Sequence, residues 1–229
     1  EALDWAEGLG LRMSHLGAYQ GHGNVAHPHG ILITWATITE GGVQVNAEGR
    51  RFWDESQGYS EAARAVLAQP GGWAVTVFDD RIARIAAQFE DFRQAQAQGA
   101  VKRADTAEGL ARMMGLPGGA LTAVLDGLSE LYETGGGSDD FGRRFRGELL
   151  RPPYCAVKVT GALFHTQGGI AVTPEARAIW QDGAPSGRLF AAGGAAVGVS
   201  GSGDSGYLSG NGLLSAVVLG RIAGRQPLP

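Results

Sequence analysis

At 229 residues the chain is long enough for one large domain or two small ones, each with a core of its own. Hydrophobic residues at 44% and charged residues at 18% exclude a disordered or coiled-coil chain, and a net charge of -4 argues against a nucleic-acid partner, which would require a basic face. Glycine is the outlier: 38 of the 229 residues, against an ordinary share of about 7%, demand tight turns or backbone packed close to a ligand.

The chain opens on Glu1 with the helix-like "EALDWAEGLGL" and so reads as trimmed, with any targeting signal lost from the missing part. A histidine- and glycine-rich stretch, "GAYQGHGNVAHPHG", leads to the apolar "ILITWATI" and the strand "GVQVN". A turn at Ala47-Glu48-Gly49 and a short strand "RRFW" complete an expected hairpin. Ser60 is placed to cap a helix "EAARAVLAQ", which Pro70-Gly71-Gly72 stops before the strand "WAVTVF". Asp105 and Glu108 form a capping-box-like start to "AEGLARMM", Gly115 closes that helix, and Pro117 suits the start of the next. In that next helix Leu121, Val124, Leu125, Leu128, Leu131 and Tyr132 fall on one face. From Pro152-Pro153 onward the strand-like pieces "YCAVKVTGALFHTQGGIAV", "RAIW" and "RLFAAGG" precede a glycine-rich turn and a helix from about Leu213 to Gly224.

The single cysteine, Cys155, cannot close an internal disulfide, which permits a reducing compartment, and a cytoplasmic location is expected. No apolar run approaches the roughly 20 residues of a membrane span. His27 and His29 flank Pro28 with no carboxylate or thiol at matching spacing, so they shape a loop and no metal is expected.

The stretch "GSGDSGYLSGNGLLSAVVLGRIAG" carries most of the functional information. Gly203-Asp204-Ser205-Gly206 imitates the nucleophile stretch of a trypsin-like protease, but helices dominate residues 60 to 133 and no upstream histidine stands in the required context. Gly201-x-Gly203-x-x-Gly206 imitates a dinucleotide fingerprint, but it lacks a preceding strand and a following acid inside a βαβ unit. What survives is a glycine turn feeding a helix whose positive end suits the pyrimidine edge of a reduced flavin.

In order, "PPYCAVKVTGALFHTQGGIAV", "GRLFAAGG" and "GYLSGNGLLSAVVLGRIAG" strongly resemble the carboxyl-terminal half of the FAD-dependent fumarate reductase and succinate dehydrogenase flavoprotein superfamily, and "GGVQVNAEGRRFWDE" resembles the start of its capping domain. The resemblance implies an α/β fold, an α+β capping domain plus the carboxyl-terminal segment of a Rossmann-like FAD-binding domain. Residues 1–22 would end a first FAD-domain segment, 23–153 form the cap, and 154–229 form the second FAD-domain segment. It also implies that the amino-terminal Rossmann half, which binds the ADP portion of FAD, is a missing partner, so that the isolated chain binds FAD poorly and is inactive.

Carried over residue by residue, the resemblance makes His22 and His165 the histidines that hold substrate and Thr34 a substrate-holding threonine, with Trp35 standing where a glutamate is expected. Tyr59 and Tyr207 fall where the family has arginines. His165, Thr166, Gly193, Gly194, Gly210, Asn211, Gly212, Leu213 and Leu214 would face FAD, with Gly194 replacing a glutamate. Arginine grips carboxylates with a planar, permanently charged fork, whereas tyrosine offers one neutral O–H. The exchange disfavours fumarate and suits a carbonyl oxygen, much as 3-ketosteroid dehydrogenases of the same superfamily use tyrosines. The expectation is therefore an FAD-dependent oxidoreductase exchanging hydride with a neutral or weakly charged unsaturated carbonyl substrate, with Tyr59, His165 and Tyr207 catalytic. Its electron donor or acceptor is unspecified. The rival reading is a binding module or fold fragment without cofactor.

Overall fold

A computed structural model describes residues 1–133, 137–145 and 148–227. The chain divides into two compact units, one of residues 21–162 and one that joins 1–20 to 163–229. The strands Tyr19–Ala26 and Tyr154–Thr166 are the elements through which the chain passes from one unit to the other.

The unit of residues 21–162 is built on an antiparallel sheet. Val43–Val45 pairs with Trp73–Asp79, which pairs along its whole length with the long strand Tyr154–Thr166, and Val101–Ala104 also joins that strand. The strand Trp73–Asp79 is buried on both faces beyond Trp73, so its apolar residues do not alternate with exposed ones, and its polar Thr76 and Asp79 are buried too. Helices Asp80–Ala86, Glu90–Ala97, Ala107–Met114 and Ala120–Glu133 contribute Ile82, Phe92, Leu110 and Leu121 to the same core. Phe78 and Phe92 meet edge to face at 5.9 Å, and each fully buried side chain of this size stabilises the fold by roughly 1.5–3 kcal/mol. Leu121, Leu125 and Leu128 of the expected helix face are buried, with Val124, Leu131 and Tyr132 packed alongside.

Several local expectations are corrected. "RRFW" is not a strand: the turn forms, with Asn46 Oδ1 accepting from Glu48 and Arg50 N–H, but Val43–Val45 pairs with Trp73–Asp79, and Arg51 enters a buried ion cluster. Ser60 is not a cap. The helix Tyr59–Leu67 starts two residues earlier behind Gly58, and Ser60 Oγ accepts the Gly21 N–H at 2.9 Å. The cap of Ala107–Met114 is Thr106, whose hydroxyl accepts the Gly109 N–H, whereas Glu108 accepts from Thr122. Gly115 closes that helix in the left-handed conformation as expected.

The other unit is smaller. Its core gathers Ala6 and Leu11 from the opening helix Ala2–Gly8 and its exit with Ile170, Ala178, Ala191 and Ala196. Met13–Ser14 pairs with Gly169–Ile170, and Arg177–Ile179 pairs with Pro185–Phe190. The chain closes with the helix Asn211–Ala223, which starts two residues before the expected position because Gly210, at φ 81°, makes the turn. No helix among the described residues is long and apolar enough to cross a membrane.

Candidate active site

In the unit of residues 21–162 the strand Tyr19–Ala26 and the helix Tyr59–Leu67 touch through backbone. A methyl group on Gly23 would lie 2.3 Å from the Ala62 carbonyl carbon, so only glycine permits the approach. That approach brings His22 beneath Tyr59, the first residue of the helix. Their rings stack at 4.9 Å and 16°, and the Trp35 ring stands edge-on to both, 5.9 Å from His22 and 6.2 Å from Tyr59. His22, Trp35 and Tyr59 thus form one aromatic cluster. Thr34 sits beside it, its hydroxyl oxygen accepting the Ala36 N–H at 3.3 Å at the start of the short helix Ala36–Thr39.

His22 is buried, and desolvation lowers its pKa to about 4, so the ring is neutral at neutral pH. Its Nδ1 accepts the Asn24 N–H at 3.2 Å, which places the proton of the neutral ring on Nε2. Beneath it runs a buried polar spine. Asn24 accepts from the Thr76 hydroxyl at 2.6 Å and donates to Ile33 O and Thr37 Oγ1, while Gln44 donates to Gly23 O and accepts from Trp53 Nε1.

The segment leading to Tyr59 is anchored by charge. Glu55, fully buried, pairs with Arg51 and Arg143 and accepts the Gln44 N–H at 2.9 Å. Arg51 also pairs with Asp139, and Arg143 donates to Gly42 O and Ile38 O. Burial alone would lower the Arg51 pKa, but Glu55 and Asp139 more than offset that and raise it. Both arginines are therefore committed to internal carboxylates. Cys155, also in this unit, is a buried thiol pushed up to about 11 by desolvation, which leaves it no nucleophilic role at neutral pH.

In the other unit His165 lies near the start of the helix Asn211–Ala223: a methyl group on Gly212 would come within 3.0 Å of its Nε2. His165 Nδ1 is 2.7 Å from Gln167 Nε2, and Gln167 in turn bonds Asn211. Thr166 is exposed, as are Leu213 and Leu214 on the first turn of the helix. Gly193 and Gly194 lie in the 3-10 turn Gly193–Ala195, where Gly193 approaches Ala216. Tyr207 is half-buried in the glycine-rich loop, which Ser200 holds by accepting the Leu208 N–H at 3.0 Å. His27 and His29 lie in the turn between the strands Tyr19–Ala26 and Ile31–Leu32.

Sequence reasoning missed Asn24, Gln44, Thr76, Glu55, Arg143 and Gln167. The one available signal lay in Gln44 and Asn24, polar residues inside otherwise apolar or glycine-rich strands, which alternation would have turned to solvent.

One unit packs helices on an antiparallel sheet and the other closes on a glycine-fronted helix beside a tethered histidine, so the chain is of the α/β class. The family model described as "FAD binding domain" matches residues 2–213, and the chain belongs to that family, within the FAD-dependent fumarate reductase and succinate dehydrogenase flavoprotein superfamily; its cofactor is FAD. It is 32% identical over 220 residues to the "Probable fumarate reductase Ifc3" of Shewanella frigidimarina, covering 96% of this chain and 36% of that protein. A solved open conformation of a flavocytochrome c3 fumarate reductase superposes with a TM-score of 0.70 at 31% identity, covering 96% of this chain and 38% of that one. The 3-ketosteroid-Δ4-(5α)-dehydrogenase from Rhodococcus jostii, solved with 4-androstene-3,17-dione, gives 0.64 at 26% identity, covering 96% and 43%. The chain therefore spans well under half the length of these relatives.

Proposed function

We propose that this chain serves an FAD-dependent oxidoreductase whose substrate is a neutral or weakly charged unsaturated carbonyl compound rather than fumarate. The observation that carries the reading is the character of the His22, Trp35 and Tyr59 cluster. His22 is neutral, and the buried arginines on the segments beside it, Arg51 and Arg143, are spent on Glu55 and Asp139. A dicarboxylate would find hydrogen-bond donors there and no charge to compensate its desolvation.

The residues of the other unit fit a flavin. The first turn of a helix leaves N–H groups without helical partners, Gly194 and Gly210 have open space where a side chain would stand, and Leu213 and Leu214 expose apolar surface. With Gly193, Asn211, Gly212, His165 and Thr166 they would hold the isoalloxazine end. FAD supplies hydride exchange at its N5. In the unit of residues 21–162 Tyr59 would serve as the proton-moving group, with His22, Thr34 and Trp35 as its substrate-facing neighbours; in the other unit Tyr207 and His165 would each offer a hydrogen bond to a carbonyl oxygen.

The similarity to both a fumarate reductase and a ketosteroid dehydrogenase supports the superfamily chemistry, and the tyrosines at the arginine positions favour the ketone side. The test is an assay, with a reduced dye, of the whole FAD-loaded flavoprotein that contains this chain and a Rossmann half, offering fumarate and a panel of α,β-unsaturated ketones. Turnover is expected for ketones and negligible for fumarate. Robust fumarate turnover would overturn the reading.

A further inference from the structure

A backbone N–H can only donate, and that fixes a chain of amides running to His165. The Val199 N–H meets Asn211 at 3.1 Å, so the Asn211 atom facing it is the carbonyl oxygen. The Asn211 amide nitrogen then faces Gln167, whose facing atom must accept and is Oε1. Gln167 therefore turns its NH₂ group toward His165, where it sits 2.7 Å from Nδ1. An N–H donor at that distance requires a bare lone pair on Nδ1, so the proton of the neutral ring is on Nε2. Each acceptor in the sequence is set by the donor before it.

The relay is built rather than incidental. Gln167 and Asn211 are both 2% exposed, which makes their mutual hydrogen bonds obligatory. Gly198 is the clearance that lets them meet: a methyl group there would lie 2.4 Å from Gln167 Oε1 and 3.0 Å from Asn211 Nδ2. Among the described residues Nε2 has no hydrogen-bond partner of its own.

We propose that Gln167 is a positioning residue that locks His165 as its Nε2–H tautomer, so that His165 presents a hydrogen-bond donor, and not a base, to an oxygen of substrate. The identity of that oxygen rests on the carbonyl reading given above. The tautomer does not.

The test is two-bond ¹H–¹⁵N correlation spectroscopy of the full chain labelled at its histidines, recorded at alkaline pH, with His165→Gln to assign the signals. A single Nε2–H pattern is expected for the unaltered chain. Gln167→Glu, which replaces the donor by a carboxylate oxygen, is expected to turn the ring over to Nδ1–H, and Gln167→Met to give a mixture. An Nδ1–H pattern in the unaltered chain overturns the proposal even if the variants fail to fold, and so does an unchanged Nε2–H pattern in Gln167→Glu. In the FAD-loaded protein Gln167→Met is expected to lower kcat/KM on an active ketone about tenfold, as for one lost oriented hydrogen bond. Tautomer switching without that loss would keep the lock and sink the carbonyl role, whereas a whole flavoprotein inactive on every ketone would fault only the functional reading.

Discussion

Both units hold a histidine with its proton on Nε2, and they do so by different means. In residues 21–162 the backbone N–H of Asn24 fixes Nδ1 of His22 as an acceptor, and the surrounding segment is pinned by the buried charges of Glu55, Arg51, Arg143 and Asp139. In the other unit a run of neutral amides, from Val199 through Asn211 and Gln167, sets His165. The contrast has a physical reason. A buried ion cluster holds backbone segments together strongly but leaves a costly charge if any member is lost. An amide relay is weaker, but it carries direction, because each amide has one donating and one accepting end.

The largest expected effect tests whether the two tyrosines differ in kind. In the FAD-loaded protein Tyr59→Phe should lower turnover by about 10²- to 10⁴-fold with the flavin still bound, the usual contribution of a positioned proton donor. Tyr207→Phe should mainly raise KM with nearly unchanged kcat. Rapid-mixing measurement of flavin reoxidation separates them, and an unchanged hydride-transfer rate in Tyr59→Phe would return that ring to a packing role against His22.

Next comes the ion cluster. Glu55→Ala leaves Arg51 and Arg143 short of a buried partner and should cost about 3–5 kcal/mol, read as a lower urea midpoint. Removing Gln167 from the uncharged relay should cost far less, about 1–3 kcal/mol for the groups left unsatisfied. Equal losses would erase the distinction between the two constructions.

The pH dependence isolates His22. Its folded pKa of about 4 lies below the ordinary 6.5, so between those values the unfolded chain binds the proton and the folded chain does not. Stability attributable to this group is complete above the upper value and falls as pH drops toward the lower one, by up to about 3 kcal/mol. His22→Gln should flatten that part of the profile in urea titrations across the window, and a slope identical to that of the unaltered chain would refute the assignment.

The smallest effect distinguishes neighbouring residues. Thr106→Ala should cost about 1 kcal/mol through its lost N-cap bond to Gly109, and Asp105→Ala much less. Thermal denaturation of the two variants reads the difference.

Local chemistry written in the chain was enough for much of the fold. The apolar face of Ala120–Glu133, the left-handed close at Gly115 and the turn at Asn46–Gly49 all depend on residues within a few positions of one another. So did the ordered motifs that pointed to FAD, since "FHTQGG" and "SGNGLL" are each short runs of neighbouring residues. The tertiary structure decided what depends on distant partners. Arg51 left its expected strand for Glu55 and Asp139, the latter 88 residues away, and Gln44 turned inward because both faces of its strand are covered. Gln167 acquired its role only when Asn211, 44 residues on, arrived to orient it. Buried polar groups must be satisfied by whatever the fold brings within about 3 Å, and periodicity carries no record of which residue that will be.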